Sequence, residues 1–588
     1  MKRAILPVVV VVFAAFFVST IQAANVYVTY NVNTEGAKTP ISKYVYGSNW
    51  GSGTDYTIRR SGGNRLTAYN WETNNSNAGA DWWWNNDNYM SSSTIPGKAI
   101  TDFHNQALSQ GQASIVTLQM AGYVSADDFG WVDCNTEAAP SLRFKKVVFA
   151  KGAPFCSPPG SPVTNDANVY MDEFVNFLVS TYGYAGQPNG VKFYNLDNEP
   201  ALWYQDDTEP PITHATHWEV HPYRPTCVEV RDKGIALSTA VKNVDPNAQI
   251  LGPVLYGFAA YLNFQSASDW GSQGSGYNWF ISYYLDKMEA ASSTAGKRLL
   301  DALDVHWYPE AQDADGHRIS FDYQNTRTNH ETRMQTPRSL WDYDFHEISW
   351  IEQYYGQWLP ILPPLKSSIL TYYPDTNLAI TEYAYGGETH YSGGIATADV
   401  LGILGKYGVY IATYWGSGNY VDAAIKIYRN YDGAHSTFGD TNVPATMSDK
   451  VNSSIYASVF DGYACELHLI VINKNIDNAI SGTFNISSPR HYTSGRVWKF
   501  SDTSSNITET TAISTITNNS FTYTVPKTTV CHIVLQAYHS GWDLSGPDGS
   551  SDCRVDIYDL DAFANDWLIN EDYLNFQDFA SFGQEWGM

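Results

Sequence analysis

Between Tyr44 and Trp415, short runs of β-branched and aromatic residues alternate with longer segments able to carry helices, and the alternation repeats eight times. The strand candidates are Tyr44–Trp50, Thr57–Gly63, Ser114–Met120, Val191–Asp197, Gln249–Val254, Ala302–Tyr308, Leu378–Tyr383 and Val409–Trp415. Between them, Tyr170–Tyr182 and Val230–Asn243 read as helices. The second ends before Asp245-Pro246, because proline cannot donate to the helical ladder and clashes with the preceding turn. Such repetition predicts an α/β chain with a TIM-like (β/α)8 barrel, in which chemistry gathers at the C-terminal ends of the strands. The connections Asn64–Lys98 and Pro309–Trp341 are long for this architecture, which marks them as functional candidates.

Beyond about Ala424 the texture changes. Ala457–Phe460, Glu466–Asn473, Gly482–Ile486, Arg496–Ser501 and Phe521–Val525 read as strands bounded by turn residues. The Ser/Thr/Asn-rich stretch Ser501–Ser520 reads as polar-faced strands and turns rather than a linker, since Thr and Ile alternate within it. The expected division is a leader over 1–23, a catalytic barrel over 24–424, a β-sandwich over 425–537, a linker over 538–547 and a small helical module over 548–588. The strand Val26–Val32 is expected to join the sandwich.

Lys2 and Arg3 precede an apolar run from Ala4 to Val18, followed by small residues that suit cleavage after about Ala23. That is the layout of a secretory leader, too short to span a bilayer. Export opens an oxidising compartment to the six cysteines, Cys134, Cys156, Cys227, Cys465, Cys531 and Cys553. Cys134–Cys156 and Cys465–Cys531 are the pairings expected first. A net charge of -25 argues against nucleic acid, which wants a basic stripe. With 19 Trp and 42 Tyr, the chain has many flat apolar faces that match the C–H faces of a sugar ring, although most must fill cores.

The fourth strand candidate runs Val191-Lys192-Phe193-Tyr194-Asn195-Leu196-Asp197-Asn198-Glu199-Pro200, an alternating strand that ends in polar residues and is stopped by proline. The seventh ends likewise in Thr381-Glu382-Tyr383. Glutamates ending the fourth and seventh strands of an eight-stranded barrel face each other across its mouth. Paired carboxyls across a scissile bond are what glycoside cleavage needs, roughly 5–5.5 Å apart for retention of configuration.

These segments, with Arg60-Ser61-Gly62-Gly63-Asn64, Tyr69-Asn70-Trp71, Asp304-Val305-His306-Trp307-Tyr308-Pro309 and the run Ser392–Gly402, resemble glycoside hydrolase family 44 from about Val26 to Gln536. The resemblance implies a barrel with a β-sandwich, retention, and endo-action on β-1,4-glucan and xyloglucan of plant cell walls. It implies Glu199 as general acid/base and Glu382 as nucleophile, with no cofactor for catalysis. Tyr204–Glu219 reads as an insertion, and Gln119 stands where an apolar residue or proline is usual. Xylan or mannan as substrate stays open, as does a non-catalytic carbohydrate-binding or attachment role, against which stand the two retained carboxylates.

Around the pair, Asn198 is suited to bond a substrate 2-hydroxyl. Arg60 and Asn64 are placed to keep Glu382 ionised, Arg60 through its cation. His306 is either a satisfied core histidine or a site residue, with Tyr308 beside it. Trp71, Trp203, Trp307, Trp341 and Trp415 follow or end strands, where rings can line a cleft, and about half are expected to be sugar platforms. At least one of Trp82, Trp83 and Trp84 is expected in the core.

Asp548–Asp559 fits a calcium loop. Asp548, Ser550, Asp552, Asp556 and Asp559 supply side-chain oxygens at the ligand spacing, and Arg554 supplies its carbonyl. Cys553 replaces the usual glycine, and Asp559 the bidentate glutamate. With Leu560 following and a weaker second half, Leu574–Phe579, the module resembles a dockerin. That resemblance implies a cohesin-like partner and attachment to a cell surface or multi-protein complex. Aspartates crowded into one loop repel one another without a cation, so folding of the module is expected to depend on calcium. Calorimetry of residues 541–588 should show a transition with calcium that chelator abolishes; an unchanged trace overturns the calcium assignment.

Overall fold

The computed structural model describes residues 26–51, 53–204, 216–460, 462–538, 557–569 and 576–585. Eight parallel strands close into a barrel: β1 (Gly47–Ser48), β2 (Ile58–Ser61), β3 (Ala113–Leu118), β4 (Phe193–Leu196), β5 (Gln249–Leu255), β6 (Ala302–Trp307), β7 (Asn377–Tyr383) and β8 (Ile411–Tyr414). Each lies within or overlaps one of the expected strands. The flanking helices include Met171–Tyr182 and Cys227–Val244.

The interior is layered by the two-residue period of the strands. At the N-terminal end Tyr44, Ile58, Ile115, Phe193, Leu251, Ala302, Ala379 and Ile411 form one apolar plug. Two residues further along, the same alternation brings in a polar floor of Arg60, Thr117, Asn195, Asp304, Thr381 and Thr413, all buried. Buried polar groups persist only when hydrogen-bonded, and these bond to one another and to the strands. Thr117 donates to the Ser61 carbonyl at 2.7 Å, and the Thr381 hydroxyl donates to Asp304 at 2.8 Å. Asn195 donates to the other Asp304 oxygen, and Thr413 to the Thr381 carbonyl. The floor ties β2, β3, β4, β6, β7 and β8 together beneath the mouth.

Between β6 and β7 the register slips, so that Val305 faces Ile380 but His306 faces Glu382. A bulge of this kind re-aims one side chain without breaking the sheet. Here it sets Glu382, rather than Thr381, beside the histidine.

The expected boundary at 424/425 falls inside the helix Asn419–Arg429 that follows β8. That helix buries Tyr420, Val421, Ala424, Ile425 and Tyr428, so the barrel continues to Arg429. The chain then builds two sheets. In the four-stranded one, Val26–Asn33 lies between Ala445–Met447 and Ile480–Ser487, with Ser520–Val525 outermost. The seven-stranded sheet holds Ser453–Phe460, Tyr463–Asn473, Tyr492–Ser501 and Thr529–Ala537. Residues of both, among them Tyr30, Phe484, Phe521, Leu469 and Ile533, share one apolar cluster. The polar stretch after Ser501 supplies the strand Ser504–Glu509.

Barrel and sheets meet at a buried charge. Asp399, on the helix Tyr391–Lys406, accepts from Lys474 at 3.3 Å and from the Tyr456 hydroxyl, and Asp399 and Lys474 are both buried. Tyr456 reaches it across Gly402, where a Cβ would stand 2.1 Å from the ring. Neither expected cysteine pairing forms: Cys134, Cys156, Cys227 and Cys531 are free thiols, while Cys465 is disulfide-bonded. Cys531 sits buried in the seven-stranded sheet, opposite Val471 and Lys499 rather than Cys465. The leader, 1–23, lies outside the described residues, and no helix among the described residues is long and apolar enough to cross a membrane.

Removing one partner of a buried ion pair strands the other. Lys474→Met should therefore cost about 3–5 kcal/mol, and the double variant Lys474→Met/Asp399→Leu should recover much of it. Urea unfolding of the three proteins measures both effects.

Candidate active site

At the mouth of the barrel the chain after β4 turns sharply. Asp197 and Glu199 both occupy the left-handed region, with φ of 64° and 48°. Asp197 makes the turn possible by accepting from the Thr67 hydroxyl at 2.6 Å and from the amides of Asn198 at 2.7 Å, Ala121 at 2.9 Å and Met120. It is fully buried, and burial raises its pKa while these bonds oppose the rise. The Glu199 amide donates to the Val254 carbonyl at 3.1 Å, anchoring the turn to β5. Pro200 then opens a short 3-10 turn over Pro200–Leu202.

Across the mouth, Glu382 accepts from Arg60 Nη1 at 2.6 Å and from the Tyr308 hydroxyl at 2.7 Å. Arg60 also donates through Nε to Asn195 at 2.8 Å and through Nη2 to Asn198 at 2.8 Å. Between the two glutamates stands His306, whose Nδ1 lies 2.7 Å from Glu199 Oε1 and 3.5 Å from Glu382 Oε2. Glu199, His306 and Glu382 each place one such atom within 4.8 Å of the others. Three such atoms are also a cation's minimum. Arg60 already neutralises Glu382, however, so a metal there would meet a fixed positive charge.

The two carboxyls differ in environment. Burial pushes Glu199 up to about 7, assisted by the charge of Asp81 and opposed by that of Arg60. Glu382 instead sits between a guanidinium and a phenol. Burial also drives His306 down to about 3, so the ring is neutral at any working pH. Its Nε2 is buried with no partner among the described residues. An unpaired acceptor is more tolerable there than an unpaired N–H, which places the proton on Nδ1, donating to Glu199. Asp304, beneath, is raised to about 6 by burial.

A cleft of about 370 Å³ opens over the pair, lined by Asn198, Tyr256, Trp307, Tyr308, Glu310 and Phe321 among others. A second lobe of about 700 Å³ is lined by Trp50, Trp82, Tyr89, Met90 and Phe103. The lobes share Gly63, Asn64, Asp81 and Trp415. Room therefore continues from the space over the carboxyls, past Asn64 and Trp415, toward Trp50 and Trp82.

Of the expected site residues, Arg60, Asn198, His306, Trp307, Tyr308, Trp415 and both glutamates converge here. Asn64 lines the cleft but does not touch Glu382; it donates to Asp81 at 2.8 Å and accepts from Asn198 at 3.5 Å. Trp71 is wholly buried, stacked on Phe174 and Phe177. Trp203 is also wholly buried, beneath Lys233 and His221. Trp341 lies between Lys406 and Lys450, away from both lobes. Each of these rings turns into the packing around the barrel, and position after a strand does not reveal which way a ring turns. No member of Trp82-Trp83-Trp84 enters the core: the first two are exposed and the third half-buried. Of the calcium candidates, Asp548, Ser550, Asp552, Arg554 and Asp556 lie outside the described residues. Asp559 lies buried in the helix Ile557–Ile569.

Sequence reasoning missed Asp304, Asn195, Asp197 and Asp81. The first two were recoverable, since each sits two residues beyond an apolar plug position on an alternating strand. Asp197 and Asp81 act from turns, where no period gives a direction.

Comparison with known proteins agrees with this geometry. A profile described as "Glycoside hydrolase family 44" matches residues 75–311. The chain is 52% identical over 532 residues to Endoglucanase A of Paenibacillus lautus, covering 88% of this chain and 74% of that protein. A solved family 44 endoglucanase from Clostridium thermocellum superposes with a TM-score of 0.83 at 51% identity, over 87% of this chain and 100% of that one. A Paenibacillus polymyxa xyloglucanase solved with xyloglucan gives 0.83 at 50% identity, over 87% and 99%.

The raised Glu199 pKa has a stability consequence. Its folded value, about 7, lies above the ordinary 4.5, so the native state binds the extra proton. The penalty is absent below pH 4.5, grows as pH rises, and is complete above 7, reaching on the order of 3 kcal/mol. Glu199→Gln, which mimics the protonated acid, should be more stable than the parent at pH 8 and equal to it at pH 4. Thermal unfolding at the two pH values checks this.

Proposed function

The chain belongs to glycoside hydrolase family 44 and acts on β-1,4-glucans, and from that premise we propose that Glu382 and Glu199 carry out a retaining double displacement within the chain of a plant cell-wall glucan or xyloglucan. The observation that carries this reading is the unlike treatment of two carboxyls that stand within 4.8 Å of each other through His306. A carboxyl whose pKa burial raises suits the acid role, and its partner, bonded to a guanidinium, suits the other. Oxygens this close suit the short carboxyl spacing of direct attack, roughly 5–5.5 Å, better than the wider spacing that admits a water.

Glu382, bonded by the Arg60 guanidinium and oriented by Tyr308, attacks the anomeric carbon. Glu199 donates its proton to the departing glycosidic oxygen. Because His306 occupies Oε1, the transferable proton is directed to Oε2. A glycosyl ester on Glu382 results; Glu199, now ionised, takes a proton from water that attacks the same carbon and frees the nucleophile. Asn198 spends its oxygen on Arg60 and one amide hydrogen on a long bond to Asn64, which leaves the other amide hydrogen for the sugar 2-hydroxyl, a contact that strengthens as the ring gains positive charge. No cofactor enters either step. The two continuous lobes favour endo-action.

The leader supports export. The two sheets after Arg429 and the strand Val26–Asn33 are read as a β-sandwich. A dockerin-like calcium module at the C-terminus, serving attachment through a cohesin-like partner, rests on the sequence of 548–559. Two helices there, Ile557–Ile569 and Phe576–Glu585, are consistent with it, Phe563 of the first meeting Phe582 of the second at 5.2 Å.

Glu382→Gln should abolish turnover of every substrate. Glu199→Gln should slow polysaccharide hydrolysis by roughly 10²–10⁴-fold yet spare formation of the glycosyl ester from an aryl glycoside with a good leaving group. Normal turnover of that glycoside by the Glu382→Gln protein reverses the roles, and early-time NMR showing the inverted anomer overturns retention. The acid must be protonated, so kcat/KM on polysaccharide should fall as pH rises through about 7. A panel of xyloglucan, carboxymethylcellulose, xylan and mannan tests the substrate class.

A further inference from the structure

The connections after β2 and β3 together build a small antiparallel flap, Ser76–Asn77 and Asn85–Asp87 coming from the first and Gly130–Trp131 from the second. Asn85 pairs with Trp131 and Asn86 with Gly130, and the Val132 amide donates to the Trp84 carbonyl at 3.2 Å. Trp83 and Trp131 are therefore carried on adjacent backbones. Both are exposed, at 68% and 60%, and Phe129 beside them reaches 81%. None of the three lines either lobe of the cleft.

The rings are presented by pinned backbone. Arg143 donates to Asp127 at 2.8 Å and to the carbonyls of Gly130 at 3.0 Å and Trp131 at 3.2 Å. Asn86 donates to Asp127 at 3.1 Å and to the Arg143 carbonyl at 3.1 Å. Large apolar side chains fixed in water mark a surface that something covers.

The chemistry selects the occupant. The strongly exposed large apolar residues on or directly beside the flap strands, Trp82, Trp83, Tyr89, Phe129 and Trp131, are aromatic, the exposed aliphatic Ile95 and Leu142 lying farther along the chain from those strands. The polar groups around the rings include the amides and carboxylates of Asn85, Asn88 and Asp128. Flat faces interspersed with hydrogen-bonding groups suit pyranose rings and their hydroxyls; a partner helix or a lipid surface wants aliphatic cover. Position agrees, because Trp82, the residue before Trp83, lines the outer lobe of the cleft. The flap backbone links that residue directly to Trp83 and, through the strand pairing, to the segment that bears Phe129 and Trp131.

We propose that Trp83, Phe129 and Trp131 form an outer shelf that binds β-1,4-glucan running out of the cleft, engaged by polymer and not by oligosaccharides short enough to be held within the cleft. The proposal rests on the reading of the cleft as the glucan site. In the full-length chain, Trp83→Ala/Phe129→Ala/Trp131→Ala should raise KM on xyloglucan at least five-fold and abolish retardation in native gels containing xyloglucan. Its kcat/KM on a cello-oligosaccharide of four units should stay within two-fold of the parent. Unchanged KM and retardation overturn the shelf, as does an equal loss on polymer and oligosaccharide, which would mean a structural role. A parent dimer in sedimentation that the variant lacks, with unchanged retardation, would make a second copy the occupant. If the parent hydrolyses neither substrate, the cleft reading fails, while retardation of parent but not variant still upholds the shelf. Should the triple variant not fold, Trp83→Ala and Phe129→Ala singly take its place.

Discussion

Arg60 is a guanidinium almost wholly removed from water at the centre of the barrel mouth. A buried charge of this kind is tolerable only when a carboxylate neutralises it and its remaining donors are met. Glu382 supplies the charge, while Asn195 and Asn198 satisfy donors on either side. One side chain from β2 thus fixes the end of β4 and Glu382 on β7. Even its neighbour conforms: a Cβ at Gly62 would stand 2.1 Å from Arg60 Nη1.

The polar floor follows from the same demand. Asn195 can accept from Arg60 because its amide group donates to Asp304, and Asp304 is in turn met by Thr381. This network lies on strands rather than loops, so the site inherits the stiffness of the sheet. The loops add what strands cannot: cleft walls, aromatic faces, and the turn that lifts Glu199 away from the guanidinium. That displacement gives the two carboxyls different surroundings: burial raises the pKa of Glu199, while Glu382 keeps direct contact with the cation.

Much of this was legible beforehand. Strands buried on both faces read as apolar runs, and their spacing by helical segments left few architectures. Glu199 and Glu382 were legible because each ends such a run. The slip that pairs His306 with Glu382 was not, because a bulge is set by packing between strands and leaves no composition mark. Without it, His306 stayed ambiguous between core and site. Trp71 and Trp203 were misplaced for a related reason, since a ring following a strand can turn toward the mouth or the helices with equal sequence cost. The free thiols show the limit of spacing arguments: Cys465 and Cys531 lie on adjacent strands, yet the register sets Val471 rather than Cys465 opposite Cys531.

Glu199 occupies a backbone conformation that an L residue adopts only at a cost of about 1–2 kcal/mol, and glycine or asparagine would hold it more comfortably. Burial adds a second burden by disfavouring the ionised carboxylate. Both pressures act on the same residue and in the same direction. A descendant relieved of any need for turnover would gain fold stability by drifting to glycine or asparagine at this position, ahead of any change at Glu382, whose loss would orphan Arg60. Among relatives of this chain, the residue at 199 should therefore be the earliest marker of a lineage that has kept the scaffold and abandoned the reaction.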